Sequence, residues 1–127
     1  MPFVNIYLPE VYPKELKKKI SLSVHESLME TFNIPEDDYF QLIHSISPEN
    51  LIFPACYLGI SHTSNLIYVQ IICGPGRTAE MKKSLYSVIS KKISERTHVL
   101  SNDIIIVLNE TSLENWSFGQ GKAQMIK

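Results

Sequence analysis

Residues 4–38 and 69–103 match one another without a gap at an offset of 65, and this duplication constrains the fold most tightly. Val4 corresponds to Val69 and Ile6 to Ile71; Glu15, Lys17 and Lys18 correspond to Glu80, Lys82 and Lys83. Further on, Val24 and Leu28 align with Ile89 and Ile93, Glu30 with Glu95, and Asp38 with Asp103. Phe3 to Leu8 and Leu66 to Cys73 are apolar runs rich in β-branched and aromatic residues, and read as strands. Leu16, Ile20, Val24 and Leu28 recur at helical spacing, as do Met81, Leu85, Val88, Ile89 and Ile93. Tyr39 to Ile46 and Ile104 to Leu108 close each copy with a further strand. A helix between two strands must cross back over the sheet, which sets those strands parallel.

The turn residues agree with this division. Pro13 suits a first helical turn, and Asn33 followed by Pro35 ends that helix. Gly74-Pro75-Gly76 is a tight turn, after which Thr78 caps a helix with Glu80 in its first turn. Residues 47–65, with Pro48, Pro54, Gly59 and Asn65, read as loop with a small hairpin. The expectation is one α+β domain over residues 1–127. Two β-α-β repeats, at about 2–46 and 66–109, form a four-stranded sheet with both helices on one face, and a segment 110–127 follows. The other face needs cover, which predicts oligomerisation.

Composition narrows the function by exclusion. With 44% hydrophobic and 20% charged residues and a net charge of -1, the chain has ordinary globular composition and no basic nucleic-acid footprint. Lys17-Lys18-Lys19 and Lys91-Lys92 read as solvated helix faces. No apolar run approaches the roughly 18 residues of a membrane span, and no secretory signal is visible. Cys56 and Cys73 lie outside metal or redox spacing, so a reduced, cytoplasmic chain is expected. His25, His44, His62 and His98 are scattered and predict no metal.

The chemistry starts at the terminus. Pro2 directly precedes a strand, so removal of Met1 would leave a secondary amine on a rigid support. An α-amino group titrates near pH ~8 in model peptides, and burial or a nearby cation lowers that value. Such an amine can act as general base, general acid or nucleophile near neutrality. The repeat makes the site asymmetric. Pro2 aligns with Ile67 and Arg77 with Tyr12, so one kind of site per chain is expected.

Four stretches together resemble the tautomerase superfamily, in the branch related to malonate semialdehyde decarboxylase. They are Met1-Pro2, Phe-Asn-Ile-Pro-Glu-Asp-Asp at 32–38, Gly-Pro-Gly-Arg-Thr at 74–78 and Glu-Asn-Trp-Ser-Phe-Gly-Gln-Gly-Lys-Ala-Gln at 114–124. The resemblance implies a cofactor-independent enzyme, a homotrimer of double β-α-β chains, acting on a small carboxylate substrate. Carried over by position, it implies Pro2 as catalytic amine, Asp38 orienting a water or the amine, and Arg77 holding a substrate carboxylate. It also implies Trp116 and Phe118 as an aromatic wall and Met125 as an apolar wall. Read from the residues alone, Asp38 could equally bond turn amides, and Trp116 and Phe118 could be core or subunit contacts. Arg77 stands at a helix start, where a cation is disfavoured unless an anion joins it. Tyr39, Gln41 and His44 lie on the adjacent strand as further candidates.

One departure matters. The decarboxylase has two arginines one residue apart in this turn, whereas here Gly74 or Pro75 stands at the first position. That moves the expectation toward proton transfer: a tautomerase of 2-oxo or 2-hydroxy-enoate acids with Pro2 as general base. The alternatives are a hydratase or decarboxylase of a malonate semialdehyde-like acid with cationic Pro2, and a non-catalytic trimeric binding protein retaining Met1.

Overall fold

The computed structural model describes residues 2–126. Its principal elements are β1 (Phe3–Pro9), α1 (Lys14–Phe32), β2 (Phe40–Ile46), β3 (Cys56–Tyr57), β4 (Ile60–Ser61), β5 (Ile67–Cys73), α2 (Ala79–Arg96) and β6 (Ile104–Glu110). The four long strands make one sheet in the order β2-β1-β5-β6, and β3 and β4 form a separate antiparallel hairpin. β1 pairs parallel with β2 and β5 parallel with β6, while β1 and β5 meet antiparallel at the centre. There Val4 opposes Ile71 and Ile6 opposes Val69, so each residue faces the other's repeat neighbour across a local twofold.

Strand alternation decides what is buried. Val4, Ile6 and Leu8 of β1 and Ile67, Val69, Ile71 and Cys73 of β5 point to one face. They pack there against Ile20, Val24 and Leu28 of α1 and Leu85, Ile89 and Ile93 of α2. Burying each such aliphatic side chain is worth roughly 1.5–3 kcal/mol. Ser23 and Ser27 are buried as well, their hydroxyls donating to the carbonyls of Lys19 and Ser23 at 2.6 Å. Small, internally bonded residues let α2 approach, and Arg96 Nη1 donates to Ser23 Oγ at 3.3 Å. Asn33 ends α1 in the left-handed region at φ 56°, and Thr78 Oγ1 accepts from Met81 N at 3.1 Å to start α2.

The helices are also joined by ion pairs. Glu26 meets Arg96 at 2.7 Å and Lys92 at 3.4 Å, and Lys92 meets Glu30 at 2.8 Å. The Arg96 hydrogen bond holds the Glu26 carboxyl below its ordinary value; burial opposes this and Lys92 assists. A depressed folded value means stability present above the unfolded carboxylate pKa and lost as pH falls through the folded one. Glu26→Gln is therefore expected to destabilise by at most about 1 kcal/mol at pH 7, because solvent reaches the pair. The difference from wild type should vanish in acid, and urea denaturation at both pH values checks this.

Among the described residues, the other sheet face carries no helix. Phe3, Asn5, Tyr7, Tyr68, Gln70 and Ile72 lie on it, with Phe40, Leu42 and Val107 about half exposed on the outer strands. The chain end is more ordered than a polar tail suggests. β6 runs to Glu110, and a 3₁₀ turn at Leu113–Asn115 then redirects the chain back across the sheet end. Among the described residues no helix is long and apolar enough to cross a membrane.

Candidate active site

The end of the sheet at which β1 starts gathers the predicted residues. Pro2 is buried just before Phe3, on the helix side with Val4. Phe3 pairs with Ile72 and with Phe40, so the register continued by one residue sets Pro2 between Cys73 and Tyr39. Cys73 ends β5 and is followed by the turn carrying Arg77. Burial pushes the Cys73 thiol up, and the Arg77 charge opposes that shift, so the guanidinium lies within electrostatic reach of Pro2's neighbour.

Arg77 is half-buried and held in place without being neutralised. Its Cζ lies 5.0 Å from the ring centre of Phe32, the last residue of α1, and Nη1 donates to Gly74 O at 3.1 Å. Such a cation–π contact is worth roughly 0.5–2 kcal/mol and fixes the plane of the fork. Among the described residues no carboxylate pairs with it. The remaining guanidinium donors are available to an anion beside the α2 N-terminus.

The chain end makes a wall across this site. Leu113 Cδ2 would lie 3.6 Å from a Cβ at Gly74, so the 3₁₀ turn sits on the Arg77 loop. Five residues on, Phe118 reaches Phe40 of β2, with centroids 6.2 Å apart, and Trp116 stacks on Phe118 at 5.3 Å and 6°. Because β1 lies between β5 and β2, the strap passes the Pro2 end of the sheet. Gln124 clasps its loop, accepting from Phe118 N at 2.9 Å and donating to Gly119 O at 2.7 Å. The Trp116 Nε1–H is enclosed and has no partner among the described residues.

The other candidates are more widely spread. Asp38 sits in the turn entering β2, half-buried, its N–H donating to Pro35 O at 3.1 Å. Tyr39 and Gln41 face α1 and line a groove of about 630 Å³ with Ser21, Leu22 and His25, to which no residue of the Arg77 turn contributes. Both polar atoms of Gln41 are engaged by Ser21. His44 lies further along β2 on the open face, stacked on Tyr7. Met125 is half-buried in the last turn of the strap. Met1, whose removal decides whether Pro2 is an amine, lies outside the described residues.

A family model described as tautomerase enzyme matches residues 38–119, more than half of the chain, and a second of the same description matches residues 2–55. The chain belongs to the tautomerase family. A curated relative, the probable tautomerase YusQ of Bacillus subtilis (strain 168), is 39% identical over the full length of both chains. The probable tautomerase YrdN of the same strain is 27% identical over 99% of this chain and 97% of its own. Among solved structures, FG41 malonate semialdehyde decarboxylase inhibited by 3-bromopropiolate superposes with a TM-score of 0.89. It is 28% identical and covers 96% of this chain and 92% of its own. A fused 4-OT symmetric trimer shares the fold, with a TM-score of 0.79 at 15% identity over 97% of this chain and 96% of its own.

In this tautomerase the opposite sheet end, related by the repeat, is filled. Ile67 is fully buried where the first copy has Pro2, and Tyr12, the counterpart of Arg77, donates to Asn65 O at 2.5 Å. Burial, helped by Asp103, pushes the Tyr12 hydroxyl up to about 12, so it remains a neutral donor. Asp103, the counterpart of Asp38, is buried and accepts from Thr63 N at 2.7 Å and Thr63 Oγ1 at 2.5 Å. The carboxylate thus serves a turn there, with no open fork beside it. Leu113 and Gln124 escaped sequence reasoning as supports of the candidate site, because tail residues carry no periodic signal; Phe32 continues the stripe of Leu16, Ile20, Val24 and Leu28 and reads from spacing only as core, so its contact with Arg77 was missed. Gln124 closed the quoted 114–124 motif, and that was its one trace in sequence.

Proposed function

We propose that this enzyme is a cofactor-independent tautomerase of small 2-oxo or 2-hydroxy-enoate carboxylic acids, working as a homotrimer with neutral Pro2 as general base. The observation that carries the reading is Arg77: a guanidinium fork oriented on Phe32, without a carboxylate partner among the described residues, at the sheet end where Pro2 is buried. The fork grips the substrate carboxylate through a bidentate pair. The Pro2 nitrogen takes the enol O–H proton as the C=O bond forms, and the resulting ammonium delivers a proton to the substrate carbon. Burial of Pro2 and the Arg77 charge both favour the neutral amine that this step needs. Trp116 and Phe118 exclude water, and the unpaired Trp116 N–H offers a donor to a substrate oxygen. Asp38, in the turn beside Pro2, orients the amine or a water. Cytoplasmic residence fits the two unpaired cysteines.

A second reading keeps Pro2 cationic, as a hydratase or decarboxylase of a malonate semialdehyde-like acid. The 28% identical decarboxylase structure favours it, and a carboxylate at Asp38 stabilises the charged amine. The single arginine of the 74–78 turn weighs against it, because one fork is less suited to holding a carboxylate while polarising a carbonyl.

The test is the pH–rate profile of kcat/KM on phenylenolpyruvate or a hydroxymuconate. A general base loses activity as pH falls through the pKa of Pro2. Activity lost only as pH rises would instead support the cationic reading.

A further inference from the structure

Helix α1 holds two of the candidate groups. Phe32, its last residue, supports the Arg77 fork. His25 stands seven residues earlier, about 10 Å along the axis and within about 20° of the same side. His25 Nε2 lies 2.7 Å from Glu36 O. A carbonyl only accepts, so Nε2 carries the hydrogen and donates. The same imidazole meets the Tyr39 ring edge-on, with centroids 5.3 Å apart and planes at 62°.

These two contacts bracket Asp38. Glu36 and Asp38 belong to one turn, closed by the Asp38 N–H donating to Pro35 O at 3.1 Å, and Tyr39 is the next residue. The turn enters β2 at the strand position beside Pro2. His25 thus fixes a carbonyl two residues before Asp38 and a ring one residue after it. Rotation of the turn relative to Pro2 has to break one of these contacts.

The second copy of the repeat shows what the imidazole is not needed for. There Ser101 and Asp103 correspond to Glu36 and Asp38, and the same turn closes, Asp103 N donating to Leu100 O at 2.9 Å. Ser90 stands in place of His25 and Ile104 in place of Tyr39, so the turn folds without this clamp. In that copy Thr63 binds the carboxylate itself, and Ile67 and Tyr12 replace Pro2 and Arg77. The imidazole belongs to the copy that carries the candidate chemistry.

We propose that His25 is a positioning residue for the reaction: by holding Glu36 O and the Tyr39 ring, it sets Asp38 against the Pro2 amine or its water. This rests on the role given to Asp38 above, and adds what keeps that side chain in place. His25 acts through Asp38 and takes no part in the proton transfer itself.

The experiment measures kcat and KM on phenylenolpyruvate for His25→Phe and His25→Gln in the full chain, each also combined with Asp38→Asn. Phenylalanine keeps a ring against Tyr39 and removes the donor; glutamine keeps an N–H at similar reach and removes the ring. His25→Phe is expected to lower kcat roughly three- to tenfold, the span that loss of one hydrogen bond implies, with KM within about twofold because Arg77 is untouched. His25→Gln should recover most of kcat. With Asp38→Asn already present, His25→Phe should cost nothing further, because a residue acting through Asp38 has no effect without it.

Undiminished kcat in His25→Phe, a loss that glutamine does not recover, or losses that multiply in the double variant each overturn the role. Thermal midpoints check folding, and should His25→Phe not fold, His25→Ala takes its place in the same cycle. The reading of the site fails separately. Pro2→Ala decides the general base, whereas Asp38→Asn with full turnover overturns this role and leaves Pro2 and Arg77 in the mechanism.

Discussion

Pro2→Ala is expected to lower kcat/KM on phenylenolpyruvate by about 10²–10⁴-fold, the range a positioned general base contributes. The exchange removes the pyrrolidine that keeps the nitrogen rigid at the start of β1, and replaces a secondary amine by a primary one. Pro2 precedes the ladder, whose first pair is Phe3 with Ile72 and Phe40, so no strand hydrogen bond is lost. Stability should change little, and a denaturation midpoint close to wild type separates a chemical from a folding effect. The control is intact mass: a chain one methionine short carries the free amine. Unchanged turnover in the processed variant would remove Pro2 from the mechanism. A wild-type chain retaining Met1 would favour a binding protein on the same scaffold.

Arg77→Ala is expected to lower kcat/KM by roughly 10- to 100-fold, corresponding to the 1.5–3 kcal/mol typical of a hydrogen bond to a charged group. Most of the loss should fall in KM, because the carboxylate is held alike in ground and transition states. Two controls sharpen this. Arg77→Lys keeps the charge but loses the planar fork and its stacking on Phe32, so partial recovery is expected. A substrate analogue without the carboxylate should be turned over equally poorly by wild type and Arg77→Ala. A full deficit on that analogue as well would assign Arg77 a role in holding the turn through Gly74 O instead.

The 65-residue repeat made the fold legible, because spacing alone carries it. Strand and helix periods, Asn33 before Pro35 and Thr78 after Gly76 placed the long elements within a few residues of their observed ends. The strap was not legible in that way. Leu113, Trp116 and Phe118 have neither period 2 nor period 3.6, and their meaning comes from Gly74 and Phe40, which are distant in sequence. The fates of Asp38 and Asp103 show the same limit. They align in the repeat, yet the Asp103 carboxylate is taken up by Thr63, a residue of the loop that follows one copy only.

By itself, the sequence determined two parallel β-α-β units, an apolar face for each helix and a single Pro2 and Arg77. These follow from local preference and from side chains repeating on one side of an element. Tertiary structure decided that β1 lies between β2 and β5 and that Phe32 supports Arg77. It also decided that the chain end crosses the end of the sheet where Pro2 is buried and that four scattered polar residues, His44, Asn5, Gln70 and Asn109, align across the open face. Each of these depends on which strands become neighbours, and strand order is settled by packing two helices over one sheet rather than by any window of residues.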